Sequence, residues 1–406
     1  MPGFVYKAIG PDGKEKKGSI QAASSEQAIM RIKGDGLIPV EVAPENVLNK
    51  DISISIGGGK ITSRDYCVFC RQMLAILSAG VSIINALQML SEQTENVPLK
   101  KGIAKLADEV GKGETLSNAM RKQPKIFPSI FVNLVEAGEA TGTLEISFER
   151  MALQFEKDNQ LQQVVKKAIT YPIIVGVVAV GVIFAMMTFV IPTFMGMFAD
   201  MDVEMPAITQ FVINMSDFFV AYWWMILIIV AAAVFLIKAY AKTISGRVLF
   251  GMLKIKLPVI KNVQIKSASA KFARTLSTLL RAGVPMMQAL EITANTVEDN
   301  IHFQRAIFTA RDQVSNGSSL EKPIKMCGLF PPMVEHMISI GEETGNLEDM
   351  LENVAEYYEE EVTTATEQMM AVLEPMMILI LALIVGVIIL AILQPMMTLY
   401  DAVGSM

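Results

Sequence analysis

The sequence contains few of the residues that build covalent cross-links and metal sites. Its 406 residues include three cysteines and two histidines. A disulfide framework needs several cysteine pairs, and a structural zinc site takes four ligands from cysteine and histidine. We therefore expect neither kind of site. Cys67 and Cys70 form a Cys-x-x-Cys pair, but the matching positions of an internal repeat, described below, are Ala270 and Ala273. Close helix packing is the better interpretation of these small residues.

Charge is also scarce. Charged residues make up 19% of the chain, hydrophobic residues 52%, and the mean hydropathy is +0.42. Soluble domains carry about 25% charged residues, so part of this chain is expected in a bilayer. The net charge of −6 argues against a nucleic-acid partner. The N-terminal stretch MPGFVYKAIGPDGKEKKG lacks the apolar core of a cleavable signal peptide, and we expect none.

Three stretches without a charged residue are long enough to cross a membrane. They cover residues 172–199, 218–237 and 375–400. Each contains at least the ~20 residues that a spanning helix needs. The segment 192–217 lacks Lys and Arg, whereas 238–274 lacks Asp and Glu. Because basic loops stay in the cytoplasm, we expect a membrane protein with a cytoplasmic N-terminus and an extracytoplasmic C-terminus.

Much of the chain consists of an internal sequence repeat whose two copies are offset by 203 residues. Residues 71–90 align with 274–293, and the Phe-Pro pair at 127–128 aligns with that at 330–331. Pro172 and Pro375 open the first and third spans at equivalent positions. Such self-similarity indicates a duplicated unit, here a soluble helical domain followed by a membrane helix.

Apolar residues recur at three- and four-residue steps between glycine and proline breaks, which predicts six helices in the first copy. Their predicted ranges are 63–79, 82–94, 97–110, 115–122, 128–137 and 143–167. Before them, FVYKAI, the turn GPDGKEKKG and SIQAA predict a β-hairpin. A helix over SSEQAIMRIKGDG and a strand over LIPVEVA complete a small α+β module.

The predicted fold is therefore mainly α: a polytopic membrane protein with two repeated cytoplasmic six-helix bundles, three transmembrane helices and a small N-terminal α+β module. The predicted boundaries are as follows: module 1–43, flexible linker 44–60, bundle copy one 61–171, span one 172–199, extracytoplasmic loop 200–217, span two 218–237, basic cytoplasmic loop 238–264, bundle copy two 265–374, span three 375–400 and extracytoplasmic tail 401–406.

One phrase stands out in both copies, GEATGTLE at 138–145 and GEETGNLE at 341–348. We expect each to form the corner before a long helix: the first glycine takes the left-handed conformation, a threonine caps the next helix, and Glu145 or Glu348 lies in its first turn. The corner residues are Gly138, Thr141 or Thr143, Gly142, Gly341, Thr344 and Gly345.

The predicted corner structure assigns no role to Glu139 and Glu342. Either they are structural, or they are free to bind a cation or a neighbouring subunit. The long helix that follows the first corner could run from 143 to 191 almost without a break. Pro172 and Pro375 are predicted to kink the long helices where they enter the bilayer.

Acidic residues dominate the end of the second copy. No Lys or Arg follows Lys325, and residues 342–367 hold ten Asp and Glu. This stretch is either a solvated face or a docking face for a basic partner or divalent cations, with candidates Glu359, Glu360 and Glu361. Arg71 and Arg274 stand at matching positions and are further candidates for partner or subunit contact. We identify no catalytic residue and expect no enzyme.

The duplicated GExTGxLE phrase, the paired AGV…AL segments, the Phe-Pro pairs and the Pro-led spans resemble the inner-membrane platform proteins of type IV pili and type II secretion. The resemblance covers essentially the whole chain. It implies a non-enzymatic, cofactor-free homo-oligomer that binds hexameric assembly or retraction ATPases, pilin or pseudopilin subunits and other inner-membrane components, but not nucleic acid. We favour the pilus, with the secretion platform as the alternative. A transporter and a scaffold without a motor are more remote alternatives.

In some secretion members of this family, an acid of the corner phrase helps bind calcium together with an acid four residues later. The later position is Thr143 or Asn346 in this chain. Glu139 and Glu342 are the metal candidates within the corner phrases, and no metal is assigned.

Overall fold

The computed structural model describes residues 3–9, 15–21, 25–34, 38–44, 59–193, 207–297 and 299–404. The chain divides into two compact units, Met1–Gly59 and Lys60–Met406. The predicted linker 44–60 lies mostly outside the described residues, and Pro44 belongs to the last strand of the first unit.

The first unit is a three-stranded antiparallel sheet with one helix. Its elements are β1 Gly3–Ile9, β2 Glu15–Gln21, α1 Ser25–Gly34 and β3 Ile38–Pro44, and the strand order is β2-β1-β3. The second strand begins at Glu15, so the predicted turn, which extended to residue 18, was too long.

The second unit begins with six helices: α2 Ser63–Ser78, α3 Ile83–Gln93, α4 Val97–Gly111, α5 Leu116–Arg121, α6 Ser129–Thr141 and α7 Leu144–Ala185. The first four each begin after a residue whose side chain accepts a backbone N–H, the caps being Thr62, Ser82, Asn96 and Thr115. Their apolar faces enclose a core rich in phenylalanine, including Phe69, Phe127, Phe131 and Phe148.

Helix α7 passes without interruption from the bundle through Pro172 to Ala185. A π-helical turn, Met186–Val190, follows, and the chain is helical through Thr193, the last described residue of this stretch. The near-continuous helix predicted for 143–191 is confirmed. The kink at Pro172 stays a prediction, because the structure gives no bend angle there.

The second membrane helix is longer than predicted. Helix α8 covers Ala207–Ala241, so the end of the predicted loop 200–217 is helical. Tyr222 interrupts it with non-helical φ −120° and ψ 15°, next to Trp223 and Trp224, which are both exposed. Side chains of this first part of α8 pack against the other spans: Val212 and Ile213 share an apolar cluster with Met187, Ile191, Ile388 and Ala391.

Two side-chain hydroxyls of α8 fasten the same region. Ser216 Oγ donates to the carbonyl of Met187 over 2.5 Å, and Thr209 Oγ1 donates to the carbonyl of Ala391 over 2.8 Å. Met187 lies in the π-helical turn, where the regular pattern of helix hydrogen bonds is broken. An apolar environment makes unsatisfied carbonyls costly, so a hydroxyl from a neighbouring helix stabilises the turn.

The predicted basic loop 238–264 is also largely helical. It forms α9 Ile244–Lys256 and the start of α10 Pro258–Arg281. The second set of helices then continues as α11 Met286–Thr296, α12 Ile301–Ser315, α13 Glu321–Cys327, α14 Pro332–Thr344 and α15 Leu347–Gly404. Helix α15 runs through Pro375 to Gly404, so the predicted tail begins inside a helix.

Three helices in the described part of the chain are long and apolar enough to cross a membrane. They are Leu144–Thr193, Thr209–Ala241 and Leu347–Gln394, and each contains one of the predicted spans or most of it. The first and third begin in the soluble helical repeats, which confirms the prediction that each repeat leads directly into a membrane helix.

Candidate functional site

The two corner phrases have the same structure, but it differs from the predicted one. The left-handed residues are Gly142 and Gly345, with φ of 73° and 70°. Each is the residue after the last turn of a helix, where glycine avoids the steric cost of positive φ. Gly138 and Gly341 lie inside α6 and α14, so the prediction that they end these helices was wrong.

Gly138 and Gly341 are required for a different reason, which is close packing. A Cβ on Gly138 would lie 2.3 Å from Ser147 Oγ, and a Cβ on Gly341 would lie 2.8 Å from Leu347 Cα. Both distances are shorter than real contacts allow. The first glycine of each phrase therefore lets the long helix cross tightly over the helix before it.

The corner threonines do not cap the next helix. Thr141 Oγ1 donates to the carbonyl of Ala137 over 2.8 Å, and Thr344 Oγ1 donates to that of Ile340 over 2.7 Å. Thr143 precedes α7 but makes no side-chain capping bond. Glu145 and Glu348 do lie in the first turns of α7 and α15, as predicted.

Glu139 and Glu342 bind the starts of other helices in the same repeat. Glu139 accepts the backbone N–H of Leu116 over 2.6 Å and that of Ser117 over 3.1 Å, together with the Ser117 hydroxyl. These donors form the first turn of α5. A carboxylate there satisfies two N–H groups that have no partner within the helix and faces the positive end of its dipole.

The second copy repeats this contact. Glu342 accepts the N–H of Leu320 over 2.6 Å and that of Glu321 over 3.1 Å, at the start of α13. Both carboxylates are therefore engaged within the chain, and each joins two consecutive helices through residues more than 20 positions apart in sequence. Among the described residues, no group of three or more His, Cys, Asp and Glu is placed to hold a metal ion.

Arg71 and Arg274 occupy matching positions but different environments. Arg274 is 8% exposed; it bonds Glu352 and donates its Nε to Glu359 over 2.7 Å. Arg71 has a side chain that is 58% exposed, and it pairs with Glu156, the counterpart of Glu359. The two repeats thus contain the same ion pair, buried in one and open in the other.

The acidic stretch of α15 is partly neutralised by the chain itself. Glu359 is buried between Arg274 and Lys157, whose Nζ lies 3.1 Å from Glu359 Oε2, and Glu361 pairs with Lys266. Glu360 is exposed. Of the three acids predicted to lie on a solvated or docking face, only Glu360 is still a candidate, because Glu359 and Glu361 pair with basic residues of the same chain.

The Lys157 contact belongs to a junction between the repeats, where α7 packs on α10 and α15. Thr278 Oγ1 donates to Gln154 Oε1 over 3.1 Å, and Arg150 donates to the carbonyl of Arg281 over 2.7 Å. Nearer the membrane the junction is apolar, with Ala168, Val263, Ala365 and Met369 in one cluster. Between these zones is a cleft of about 460 Å³, lined by Lys157, Gln160, Leu161, Val164, Glu356, Glu359, Glu360 and Thr363.

Asp158 is the titratable group of this junction whose pKa is most changed. Burial raises the pKa of its carboxyl to about 6, and Lys271 and the Gln154 amide counteract part of that effect. Glu359 and Asp299 contribute in the same direction as burial. Asp158 lies in the soluble part of α7, well before the uncharged stretch that begins at Pro172.

The two long helices carry opposite charges, but the sequence analysis did not predict that they are in contact. The first copy has Arg150, Lys157, Lys166 and Lys167 where the second is acidic or neutral. That difference was the available signal for an ion pair between repeats. It could not say whether the acidic helix meets the basic one or a separate partner.

The fold therefore defines a polytopic membrane protein built from two repeated helical units. Residues 69–192 and 272–395 each match the family described as Type II secretion system (T2SS), protein F. Residues 1–43 match the Type II secretion system protein F, N-terminal domain. The two matched stretches begin at equivalent positions of the repeat, which supports the duplication.

Several relatives are similar over nearly their whole length. Type IV pilus assembly protein PilC of Myxococcus xanthus is 34% identical over 98% of this chain and 95% of the relative. The protein of the same name from Thermus thermophilus is 35% identical over 100% of this chain and 99% of the relative. Type II secretion system protein F of Vibrio cholerae is 29% identical over 98% of each chain.

This chain belongs to the family of type II secretion system protein F and type IV pilus assembly protein PilC. Proteins of this family are non-enzymatic platform proteins of the inner membrane. The resemblance drawn from the repeated motifs and the prediction that the chain is not an enzyme are both confirmed.

Proposed function

We propose that this chain is the inner-membrane platform of a type IV pilus machine. Its identity to the named pilus proteins of M. xanthus, Pseudomonas aeruginosa and T. thermophilus is 34–36%. The secretion proteins of V. cholerae and P. aeruginosa are 28–29% identical over similar lengths. This difference is the observation that favours the pilus, and a type II secretion platform that assembles a pseudopilus is the alternative.

The platform couples motion of a cytoplasmic ATPase to the insertion or removal of pilin subunits. Both repeats are cytoplasmic six-helix bundles in this proposal, because the basic segment 238–274 lies between the second span and the second bundle. Helices α7 and α15 each pass from a bundle into the membrane. Rotation of a bundle is thereby transmitted to its span, and Pro172 and Pro375 are the positions where the long helices bend.

The ATPase binds the cytoplasmic bundles, and pilin contacts the membrane helices. Glu360, which is exposed on α15, is a contact for basic side chains. Glu139 and Glu342 hold the bundles in shape and contact no partner directly. The chain needs no cofactor and binds no nucleic acid.

Copurification tests the coupling. The full-length chain, solubilised in detergent, is expected to retain a hexameric assembly ATPase of its own cell. A non-motor scaffold would retain none. If the wild-type chain retains no ATPase, the proposed coupling is wrong.

A further inference from the structure

The junction between the repeats uses different faces of the two copies. On the first copy the contact is made by one side of α7, which we call the leading face: Gln154, Lys157, Leu161, Val165 and Ala168. On the second copy it is made by parts of α10 and α15, which we call the receiving face: Thr278, the backbone of Arg281, Glu359, Ala365 and Met369.

A junction with two-fold symmetry would contain every contact twice. Thr278 of the second copy is equivalent to Ala75 of the first, and Gln154 of the first copy is equivalent to Tyr357 of the second. The bond between Thr278 and Gln154 would therefore have a counterpart between Ala75 and Tyr357. Instead Ala75 is exposed, and Tyr357 is 44% exposed. The repeats are therefore joined head to tail, an arrangement that leaves one face of each kind unused.

The unused leading face lies on the second copy. Its residues are Tyr357, Glu360, Thr364, Gln368 and Ala371, and all of them are exposed. The corresponding residues of the first copy are covered, with Gln154 1%, Leu161 6% and Ala168 9% exposed. Equivalent positions thus differ in burial because only one copy has a neighbour on this side.

The unused receiving face lies on the first copy. Ala75 and Ser78 on α2 and Gln162, Lys166 and Lys167 on α7 stand at its positions, and all are exposed. In the second copy the counterparts of Ala75, Gln162 and Lys166 are Thr278, Ala365 and Met369, which are buried. Each chain therefore presents a free leading face and a free receiving face.

The charges of the two free faces are complementary. Lys166 and Lys167 lie on the receiving face, and Glu360 lies on the leading face, with Glu367 beside it. Inside the chain, Lys157 of the leading face reaches the ion pair of Glu359 and Arg274. At the free junction Glu360 replaces Lys157, and the position equivalent to the Lys157–Glu359 contact brings Glu360 to Glu156. Arg71, which pairs with Glu156, is the cation available between these two acids. The acid there is matched by Arg71, whose side chain is 58% exposed.

We propose that a second copy of this chain docks its free leading face on the free receiving face of the first. This contact repeats the junction already present inside the chain, with Glu360 and Arg71 as its central ion pair. It deepens the proposed function by naming the surface through which platform chains assemble. Head-to-tail contacts close into rings when their rotation permits, so each chain of a closed assembly uses both of its faces.

The test is the oligomeric state of the purified full-length chain in detergent, measured by light scattering after size-exclusion chromatography. We expect an oligomer whose dissociation constant rises on the order of tenfold in the Arg71→Glu variant, because repulsion replaces an ion pair. Combining it with Glu360→Lys should restore assembly. The Arg121→Glu variant is the control, since Arg121 is an exposed arginine paired with Glu136, outside both faces.

Cysteine cross-linking tests the register independently. Two differently tagged chains are coexpressed, one with Ala371→Cys and the other with Lys166→Cys, both in a background with Cys67, Cys70 and Cys327 replaced by alanine. After isolated membranes are treated with a thiol oxidant such as copper phenanthroline, we expect a disulfide-linked heterodimer, because Ala168 and Met369 of the internal junction are equivalent to Ala371 and Lys166. A pair of Ala371→Cys and exposed Lys101→Cys chains is the control and should not cross-link.

A monomeric wild-type chain would overturn the proposal. So would an Arg71→Glu variant that assembles like the Arg121→Glu control, or a cross-linked yield no greater than that of the control pair. These measurements need neither a filament nor an ATPase. They therefore fail separately from the proposed function, which is tested in cells and by copurification.

Discussion

Glu139 and Glu342 are acidic residues of a repeated motif, but their side chains make contacts within their own helical bundles. Each accepts two backbone N–H groups from the first turn of a short helix. Hydrogen bonds to a charged acceptor contribute about 1.5–3 kcal/mol each, and loss of a capping side chain costs about 1 kcal/mol. The carboxylates therefore stabilise the corners on which the long helices rest.

Replacement of Glu342 by alanine should lower the Tm of the detergent-solubilised chain by about 3–8 °C, because two N–H donors lose their acceptor. Differential scanning fluorimetry measures this. Glu343→Ala is the matched control, since Glu343 is the neighbouring exposed acid. Calcium should leave the wild-type Tm unchanged. A rise with calcium that Glu342→Ala abolishes would instead assign a metal to the corner.

Substitution of Gly138 by alanine should destabilise the chain by about 1–3 kcal/mol, because the added methyl group overlaps Ser147 Oγ. Gly111→Ala is the control: it also lies in a helix, but its Cβ position is open and it should be neutral or stabilising by about 0.4–1 kcal/mol. Urea unfolding followed by circular dichroism compares the two. Equal stability of both variants would contradict the packing role.

The corner also marks the limit of prediction at this scale. GEATGTLE contains two glycines, and local propensity alone could not decide that Gly142 and not Gly138 takes positive φ. The partner of Glu139 lies more than 20 residues away, so it depends on how α5 packs on α6. The sequence analysis left the role of Glu139 open because its partners are distant in sequence and are brought near only by the packing of the helices.

At the scale of elements, the soluble helices of the first repeat were predictable because their apolar spacing, caps and glycine breaks agree. Thr62, Ser82, Asn96 and Thr115 each accept a backbone N–H at a helix start. Residues 207–217 and 238–264 were mistaken for loops because their polar and charged composition obscured their helical pattern. The first segment extends α8 ahead of its apolar stretch, and the second mostly forms α9 and the start of α10.

The packing of α7 on α10 and α15 predicts a pH dependence through Asp158. Its folded pKa of about 6 lies above the ordinary value of 3.8, so ionisation is unfavourable in the folded chain. The stability contributed by the protonated carboxyl is full below about pH 4 and is lost as the pH rises through about 6. Lys271, Glu359 and Asp299 are the charged groups that act on it.

Asp158→Asn should therefore raise the Tm by about 2–4 °C at pH 7.5 and by roughly half as much at pH 5, because pH 5 lies between the unfolded and folded pKa values of the carboxyl. A thermal series between these values measures it, with Asp108→Asn as the control, because Asp108 is an exposed acid paired with Lys112. A lower Tm at pH 7.5, or the same change at both pH values, would contradict the burial of an unfavourable charge.

At the scale of the whole molecule, the two repeats of one unit differ in which of their faces are covered. The first repeat is covered where the second is open, and the reverse holds on the opposite face. The duplication was predictable from the 203-residue offset, since identical motifs recur in register. The relative placement of the repeats was not, because it depends on contacts between residues more than 100 positions apart.

The charge asymmetry of the loops predicts the orientation in the membrane. A reporter fused after Gly404 should behave as extracytoplasmic, and one inserted at Thr243, which follows α8, should behave as cytoplasmic. Paired phosphatase and fluorescent reporters measure both sites. The opposite pattern would place the soluble repeats outside the cell and remove any access to a cytoplasmic ATPase.

The central claim is that this chain serves a pilus and not a secretion system. The most direct measurement is electron microscopy of surface filaments in a strain lacking the chain, together with an assay of its secreted proteins. The account predicts cells without filaments, unchanged secretion, and recovery of filaments when the full-length chain is supplied again. Normal filaments in the deletion strain, with secretion lost, would contradict it.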